Sequence, residues 1–374
     1  MRVVFVSNYM NHHQLEVSLE FDKRVEYHFI ATQPIEKERL EMGYADMNKQ
    51  YAFIICAYES DHQYKKAIDL INNADIVIYG SCPFEMVKPR IEANKLTFRY
   101  SERLFKNHTL IRMFYPKYIK KIRSECTKYK ENNYYLLCAS AYASKDYAWF
   151  GAFKNKALKW GYFPKINSFD NELSNVIDEK QKYNNILWCG RFIKWKHPEY
   201  VINCAKHLIS KNIKFKINMI GTGVLLDKIK KNIFKEGLQD YISVLGAKPF
   251  DQVQKYMKES KIFLLTSDRN EGWGAVLNES MGNACCVIAN QQIGSVPYLI
   301  QNGVNGFAYT SERDFVQKVE YACVNDVKNI SENAYHTIHD VWCAKNAVSR
   351  LIKISINEQN IIYQNGNCPF SIDK

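Results

Sequence analysis

The chain has 374 residues, of which 47% are hydrophobic and 24% charged, and a formal net charge of +12. At roughly 150 residues per domain this predicts two domains, or three, each able to bury its own core without a metal or a disulfide. No stretch approaches the ~18 consecutive apolar residues a membrane-spanning helix needs, so the chain is not expected to be integral to the membrane.

The opening decapeptide MRVVFVSNYM reads as a strand and gives no secretory signal, since no small-residue cleavage site follows it. The strand candidates of the first half are 2–7, 26–32, 52–57, 75–81, 96–101 and 134–140. They are short runs rich in Val, Ile, Tyr and Phe, and most are separated by enough chain for a crossover helix. Such alternation predicts a parallel sheet covered by helices on both faces. A polar stretch at 166–185, with Asn and little apolar period, reads as a linker with one short helix. A second series follows at 186–190, 215–221, 242–246, 262–267 and 285–290. The fold expected is therefore α/β, with two doubly wound domains at 1–165 and 186–338. A final amphipathic helix is expected within 339–374, on Trp342, Ala347 or Val348, Leu351 and Ile352.

Eleven cysteines stand at irregular spacings with no CxxC pair, which supports neither a zinc site nor a redox motif. They read as buried free thiols in a reducing compartment. The basic excess is densest over 106–130, where eight Lys and Arg face one acid, Glu125, and are interleaved with apolar and aromatic residues. That pattern suits an anionic membrane surface as well as an ordinary solvated face. No recognisable nucleic-acid-binding motif accompanies the charge, so no nucleic acid partner is expected. The chain is expected to be cytoplasmic, or peripheral on the inner face of the cell membrane.

In open α/β sheets ligands bind beyond the carboxyl ends of the strands, so the loops after those strands carry the candidate chemistry. The strand at 262–267 runs into DRNEGWGAVLNES. Glu271 lies in its loop, Gly272 and Gly274 bracket Trp273, and a helix is expected from about Ala275 and Val276, with Glu279 on its first turns. Glycines permit close ligand approach, and the free N–H groups of a helix start suit a diphosphate. Glu279 can then chelate a ribose diol, and Glu271 can hydrogen-bond sugar hydroxyls. The strand at 186–190 ends at Gly190 and is followed by Arg191 and Lys196, cations suited to a departing nucleoside diphosphate. Lys194 is an alternative to Lys196. After the next strand, Gly221 and Gly223 of MIGTG form a tight turn. No DxD stands in a convincing loop, so no metal and no cofactor are expected.

In this order WCGRFIKWKH, MIGTG, SVLGAKPF, EGWGAVLNE and IGSVPYLIQNGVNGFAY resemble glycosyltransferase family four, retaining enzymes of the GT-B fold. The resemblance covers roughly 186–310. It implies two Rossmann-like domains with a cleft between them and the donor site in the C-terminal one. It further implies that Arg191 and Lys196 hold the donor diphosphate, Glu271 the transferred sugar and Glu279 the ribose. The last helix is implied to cross back to the N-terminal domain. The first half is similar to bacterial surface-polysaccharide transferases over SNYMNHHQLEVSLEF and FRYSERLFK, of the kind that build capsule or lipopolysaccharide. The acceptor expected is a glycan, free or polyprenyl-diphosphate-linked. The first loop departs from the family in having no glycine, and polar contacts from Asn8, Asn11, His12 or His13 are candidates to replace it, with loop packing as the alternative. Glu102 suits either an acceptor contact or a structural ion pair. A nucleotide-sugar epimerase of the same fold and a catalytically silent sugar- or membrane-binding scaffold are the alternative functions. The donor base, the sugar and the linkage are not encoded legibly.

Overall fold

The computed structural model describes residues 1–37, 46–356, 361 and 365–373. They fall into two compact units, Met1–Lys165 with Cys343–Lys374, and Ile166–Trp342.

The first unit is built on a seven-stranded parallel sheet. Its strands are β1 (Arg2–Ser7), β2 (Glu26–Ala31), β3 (Ile54–Cys56), β4 (Ile76–Tyr79), β5 (Thr97–Ser101), β6 (Tyr134–Cys138) and β7 (Ala157–Lys159). They lie in the order β3-β2-β1-β4-β5-β6-β7, so the winding reverses at β1, where Val3 pairs with both Tyr27 of β2 and Ile76 of β4. Val3 to Val6 are all buried, as expected of a strand covered on both faces. β7 is not among the strand candidates: its three residues, unlike those of the equally short β3, are not part of a longer apolar run. A buried arginine braces one edge of this unit. Arg90 donates to the carbonyls of Ile71 and Ala74, at the end of the helix Asp61–Asn73, and to those of Asp75 and Leu96. These are carbonyls that a helix end and a strand entry would otherwise leave unpaired.

The expected final helix starts later than its apolar spacing predicts. Residues Thr337–Val341 form a π turn, and the helix proper is Ala344–Ser355. Trp342 does not belong to its apolar face: its ring stacks on Tyr298 of the second unit, to which both residues belong. Ala347, Val348 and Leu351 are buried, and the helix packs against His12–Asp22 of the first unit. Residues 357–360 of the expected stretch lie outside the described residues.

The second unit carries six parallel strands, β8 (Asn185–Cys189), β9 (Lys216–Ile220), β10 (Ile242–Gly246), β11 (Ile262–Leu265), β12 (Cys286–Asn290) and β13 (Phe307–Tyr309). Their order is β10-β9-β8-β11-β12-β13, with the reversal at β8. Ile186, Trp188, Met219, Ile262, Leu264 and Ile288 lie in one apolar cluster. The segment 166–185, expected as a linker, is part of this unit. Phe169 and Ile177 cluster with Ala284 and Tyr335, and Ile166 fills the space a side chain at Gly282 would need. Lys180, on the helix Leu173–Gln181, is buried and donates to the carbonyls of Met257 and Asn283. The polar composition hid these contacts because the apolar residues are few and their partners lie about a hundred residues away.

Candidate active site

The winding reversal places the crevice of the second unit beyond the carboxyl ends of β8 and β11. After β8 the chain runs through Gly190 and Arg191 into a 3-10 turn, Lys194–Lys196. Two glycines of the neighbouring loop make that path possible. A Cβ on Gly221 would stand 2.0 Å from the Gly190 carbonyl oxygen, and one on Gly223 would stand 2.6 Å from that of Phe192. Both glycines have positive φ, +134° and +149°. The loops are then pinned by Gly190 N–H to Ile220 O and Phe192 N–H to Thr222 O, at 3.0 and 2.8 Å. The geometry therefore gives Gly221 and Gly223 a task in holding the Arg191–Lys196 loop, whatever they contribute to a ligand.

Lys196 and Glu271, 75 residues apart, meet as an ion pair, with side chains 13% and 15% exposed. Lys194 is exposed, which decides the alternative left open in the sequence in favour of Lys196 as the cation beside Glu271. Trp195 lies beneath both cations of the loop: the Arg191 guanidinium is 5.7 Å and the Lys196 ammonium 4.7 Å from its ring centroid. The carbonyl of Trp195 accepts from Asp268 N–H at 2.9 Å, and that of Lys196 from Thr266 Oγ1 at 2.5 Å. Thr266 in turn accepts from the indole of Trp188.

His197 completes the join between the two loops. Its backbone is left-handed, φ +48°, and its ring reaches Glu199 at 2.9 Å and Asp268 at 3.4 Å. The Glu199 contact, with Asp268 behind it, holds the imidazole pKa above its ordinary value. Neither Trp195 nor His197 carried a functional expectation in the sequence. A bulky residue following Lys196 where the backbone must turn left-handed is the one signal that was available.

Glu279 stands on the first turn of the helix Val276–Gly282, with Ala275 as its N-cap, close to the expected start. Burial pushes its carboxyl up to about 7, and no hydrogen-bond or ion-pair partner reaches it among the described residues. Nearby, burial pushes the Cys189 thiol up to about 12. Gly274 has φ +87° and would press a Cβ against Glu271 and Ile293, so it shapes the turn between the two glutamates. Trp273, expected at the donor, is instead fully buried. Its indole donates to Asn278 and its ring lies against Tyr298 and Trp342. Its side chain is core because the turn at Gly274 points it inward, and only its backbone remains near the loop. Gly272, Ala275 and Val276 sit where the sequence places them, between Glu271 and the helix.

The first unit has its own cavity, about 750 Å³, beyond the carboxyl ends of β1, β4 and β5. It is lined mostly by polar groups, among them Asn8, Gln14, Gln33, Ser81, Arg99 and Glu102. Asn11 also lines it, yet its side chain is committed as the N-cap of His12–Asp22, accepting from His13 N–H and donating to Gln14. His12 and His13 do not line it. Their rings lie 3.8 Å apart, and His13 stacks on Tyr162 at 4.8 Å. Tyr162 donates to Glu102 at 2.6 Å, and Lys106 binds the other carboxylate oxygen at 2.9 Å. Glu102 thus has both an ion pair and a position on the cavity wall. The glycine-free loop after β1 is held by a side chain instead: Met10 N–H donates to Asn48 Oδ1 at 2.9 Å.

A crevice with a paired Lys and Glu, a neighbouring Arg and a half-buried carboxylate without a partner among the described residues can take an anionic, hydroxyl-bearing ligand. The sequence model of one family matches this unit. Residues 169–337 match the model of the glycosyl transferases, group 1. The uncharacterized glycosyltransferase MJ1178 of Methanocaldococcus jannaschii is 32% identical over 131 residues, 35% of each chain. The amylovoran biosynthesis glycosyltransferase AmsK of Erwinia amylovora is 29% identical over 127 residues, 33% of this chain and 31% of its own. These matches thus span about a third of the relatives' own length. Over nearly the whole chain the fold is similar to that of Anabaena Alr3699/HepE, solved in complex with UDP. The TM-score is 0.67 at 12% identity, covering 95% of this chain and 99% of that one. The glycosyltransferase resemblance and the GT-B architecture of two Rossmann-like units are borne out at this level. Family four itself is not distinguished by these matches.

No helix among the described residues is long and apolar enough to cross a membrane.

Proposed function

We propose that this protein transfers a sugar, with retention, from a nucleotide-sugar donor bound in the second unit to a hydroxyl-bearing glycan or lipid-linked glycan acceptor. The observation that carries the reading is the meeting of Lys196 with Glu271, with Arg191 over the same Trp195 ring and Glu279 on the helix that follows. Glu271 pairs with Lys196. A bound diphosphate shares that cation and leaves Glu271 to accept hydrogen bonds from the sugar, while Glu279 takes the ribose diol. UDP is the favoured nucleotide of the donor, supported by the UDP complex of the structurally similar Anabaena protein.

In this mechanism the acceptor oxygen attacks the anomeric carbon on the face from which the diphosphate departs. The bond from that carbon to the phosphate oxygen breaks, and the departing oxygen takes the acceptor proton. Arg191 and Lys196 offset the charge that develops on the leaving group, which requires no metal. The 750 Å³ cavity of the first unit, with Glu102 on its wall, is the proposed acceptor site. A polysaccharide of the cell surface is the proposed product class, in keeping with the amylovoran relative.

The test begins with thermal shifts in UDP, GDP and ADP, followed by the sugars of whichever nucleotide stabilises. Lys196→Ala is then expected to lower turnover about 10²- to 10³-fold, the usual loss for a cation facing a developing anion, with circular dichroism unchanged. Full activity in that variant would sink the assignment. Conversion of the donor without any acceptor would identify an epimerase instead.

A further inference from the structure

The basic stretch 106–130 divides into two sets once its partners are known. Lys106, Lys121, Lys128 and Lys130 each lie within 4.0 Å of an acid: Glu102, Glu125, Glu92 and Glu131. Arg112, Lys117, Lys120 and Arg123 are exposed and have no acidic partner among the described residues. Within the same span Ile111, Phe114 and Tyr115 are 78%, 73% and 54% exposed, and Pro116 and Lys117 continue the exposed run. Ile122 is the one fully buried side chain of the helix Pro116–Glu125. That helix is fastened along one line and turns the rest outward. A groove of about 540 Å³ runs along it between Pro116, Ile119, Lys120 and Arg123.

From this juxtaposition we infer that residues 111–123 dock the first unit onto an anionic lipid surface. Four cations without an acidic partner answer the headgroups, Arg112 from over the Tyr118 ring at 5.8 Å, and Ile111, Phe114 and Tyr115 enter the boundary between headgroups and acyl chains. Charge decides between occupants. A symmetric contact with a second copy would bring these cations against themselves, and a nucleic acid would leave Ile111 and Pro116 in water. An anionic bilayer satisfies both the charge and the apolar side chains. The inference is independent of the donor chemistry, and UDP binding in the second unit serves as its control.

The experiment is co-sedimentation of the whole chain with phosphatidylcholine vesicles, with and without phosphatidylglycerol, at low and high salt. Binding is expected only to the anionic vesicles and is weakened by salt. Each cation near such a surface is worth about fivefold, so Lys117→Glu with Lys120→Glu is expected to lower partitioning roughly 25-fold or more. Ile111→Ser, Phe114→Ser and Tyr115→Ser together abolish retention at high salt. Both variants change exposed residues, so unaltered circular dichroism and UDP affinity are expected. The proposal is overturned if the wild type ignores the anionic lipid, if it binds neutral vesicles equally well, or if the variants sediment as the wild type does. A concentration-dependent dimer lost in either variant would equally overturn it, by assigning the face to a second copy.

Discussion

At the scale of single residues the two candidate glutamates differ sharply in environment. Glu271 is paired with Lys196, whereas Glu279 is held without a partner in a site that pushes its carboxyl up to about 7. The folded chain therefore retains a proton that the unfolded chain releases near pH 4.5, and stability falls as pH rises from there to about 7. Glu279→Gln removes that liability. It is expected to be more stable than the wild type by about 3 kcal/mol at pH 8, to match it near pH 4, and to bind nucleotide more weakly. Thermal melts of both proteins across this range check the sign, and parallel curves would refute the assignment. His197 titrates with the opposite sense. Its pKa is raised by Glu199 and Asp268, so its bridge is fully present below about pH 6.5 and is lost as pH rises through the folded pKa. Its left-handed backbone costs about 1 kcal/mol that glycine would not incur. His197→Gly is thus expected to lose more stability relative to the wild type at pH 6 than at pH 9. Melts that shift equally at both pH values would contradict this balance.

At the scale of elements, buried cations join segments that hydropathy alone leaves loose. Lys180 ties Leu173–Gln181 to the carbonyls of Met257 and Asn283, and Arg90 gathers four backbone carbonyls around one guanidinium. Replacing Arg90 with leucine would keep the volume roughly but strand those acceptors in a buried place. We expect a loss of about 3–5 kcal/mol, read by chemical denaturation, with nucleotide binding of the folded fraction unchanged. A loss under 1 kcal/mol would mean that the carbonyls find water instead. The same scale explains where element boundaries escaped the sequence. The strands of 5–6 residues announced themselves by continuous β-branched and aromatic runs. The three-residue β3 was found only because it lies in a longer apolar run, and β7 and β13, of the same length, were not found. The final helix was read from a period that began on Trp342, a residue whose ring belongs to another cluster. Period cannot tell which neighbour an apolar side chain will meet.

For the whole molecule, the cysteines give a readout of burial in both units at once. All eleven are free; seven are buried, while Cys82, Cys189, Cys343 and Cys368 are partly exposed. A thiol reagent is therefore expected to titrate four groups slowly in the native chain and eleven in denaturant. UDP should protect Cys189, which lies by Glu279 and Lys196; modification of Cys189 unaffected by UDP would move the donor elsewhere. The sequence by itself determined the architecture, because buried parallel strands must be continuous apolar runs and crossover helices must separate them. It also determined the residue types of the donor crevice, because glycines and charged groups at strand ends leave a local pattern. Only the tertiary structure decided which lysine meets Glu271, why Gly221 and Gly223 must be glycine, and that Trp273 is core. Only there did His197 acquire partners and half of the 106–130 cations lose their freedom. Each of these depends on contacts between residues distant in the chain, and local composition carries no record of who those partners are.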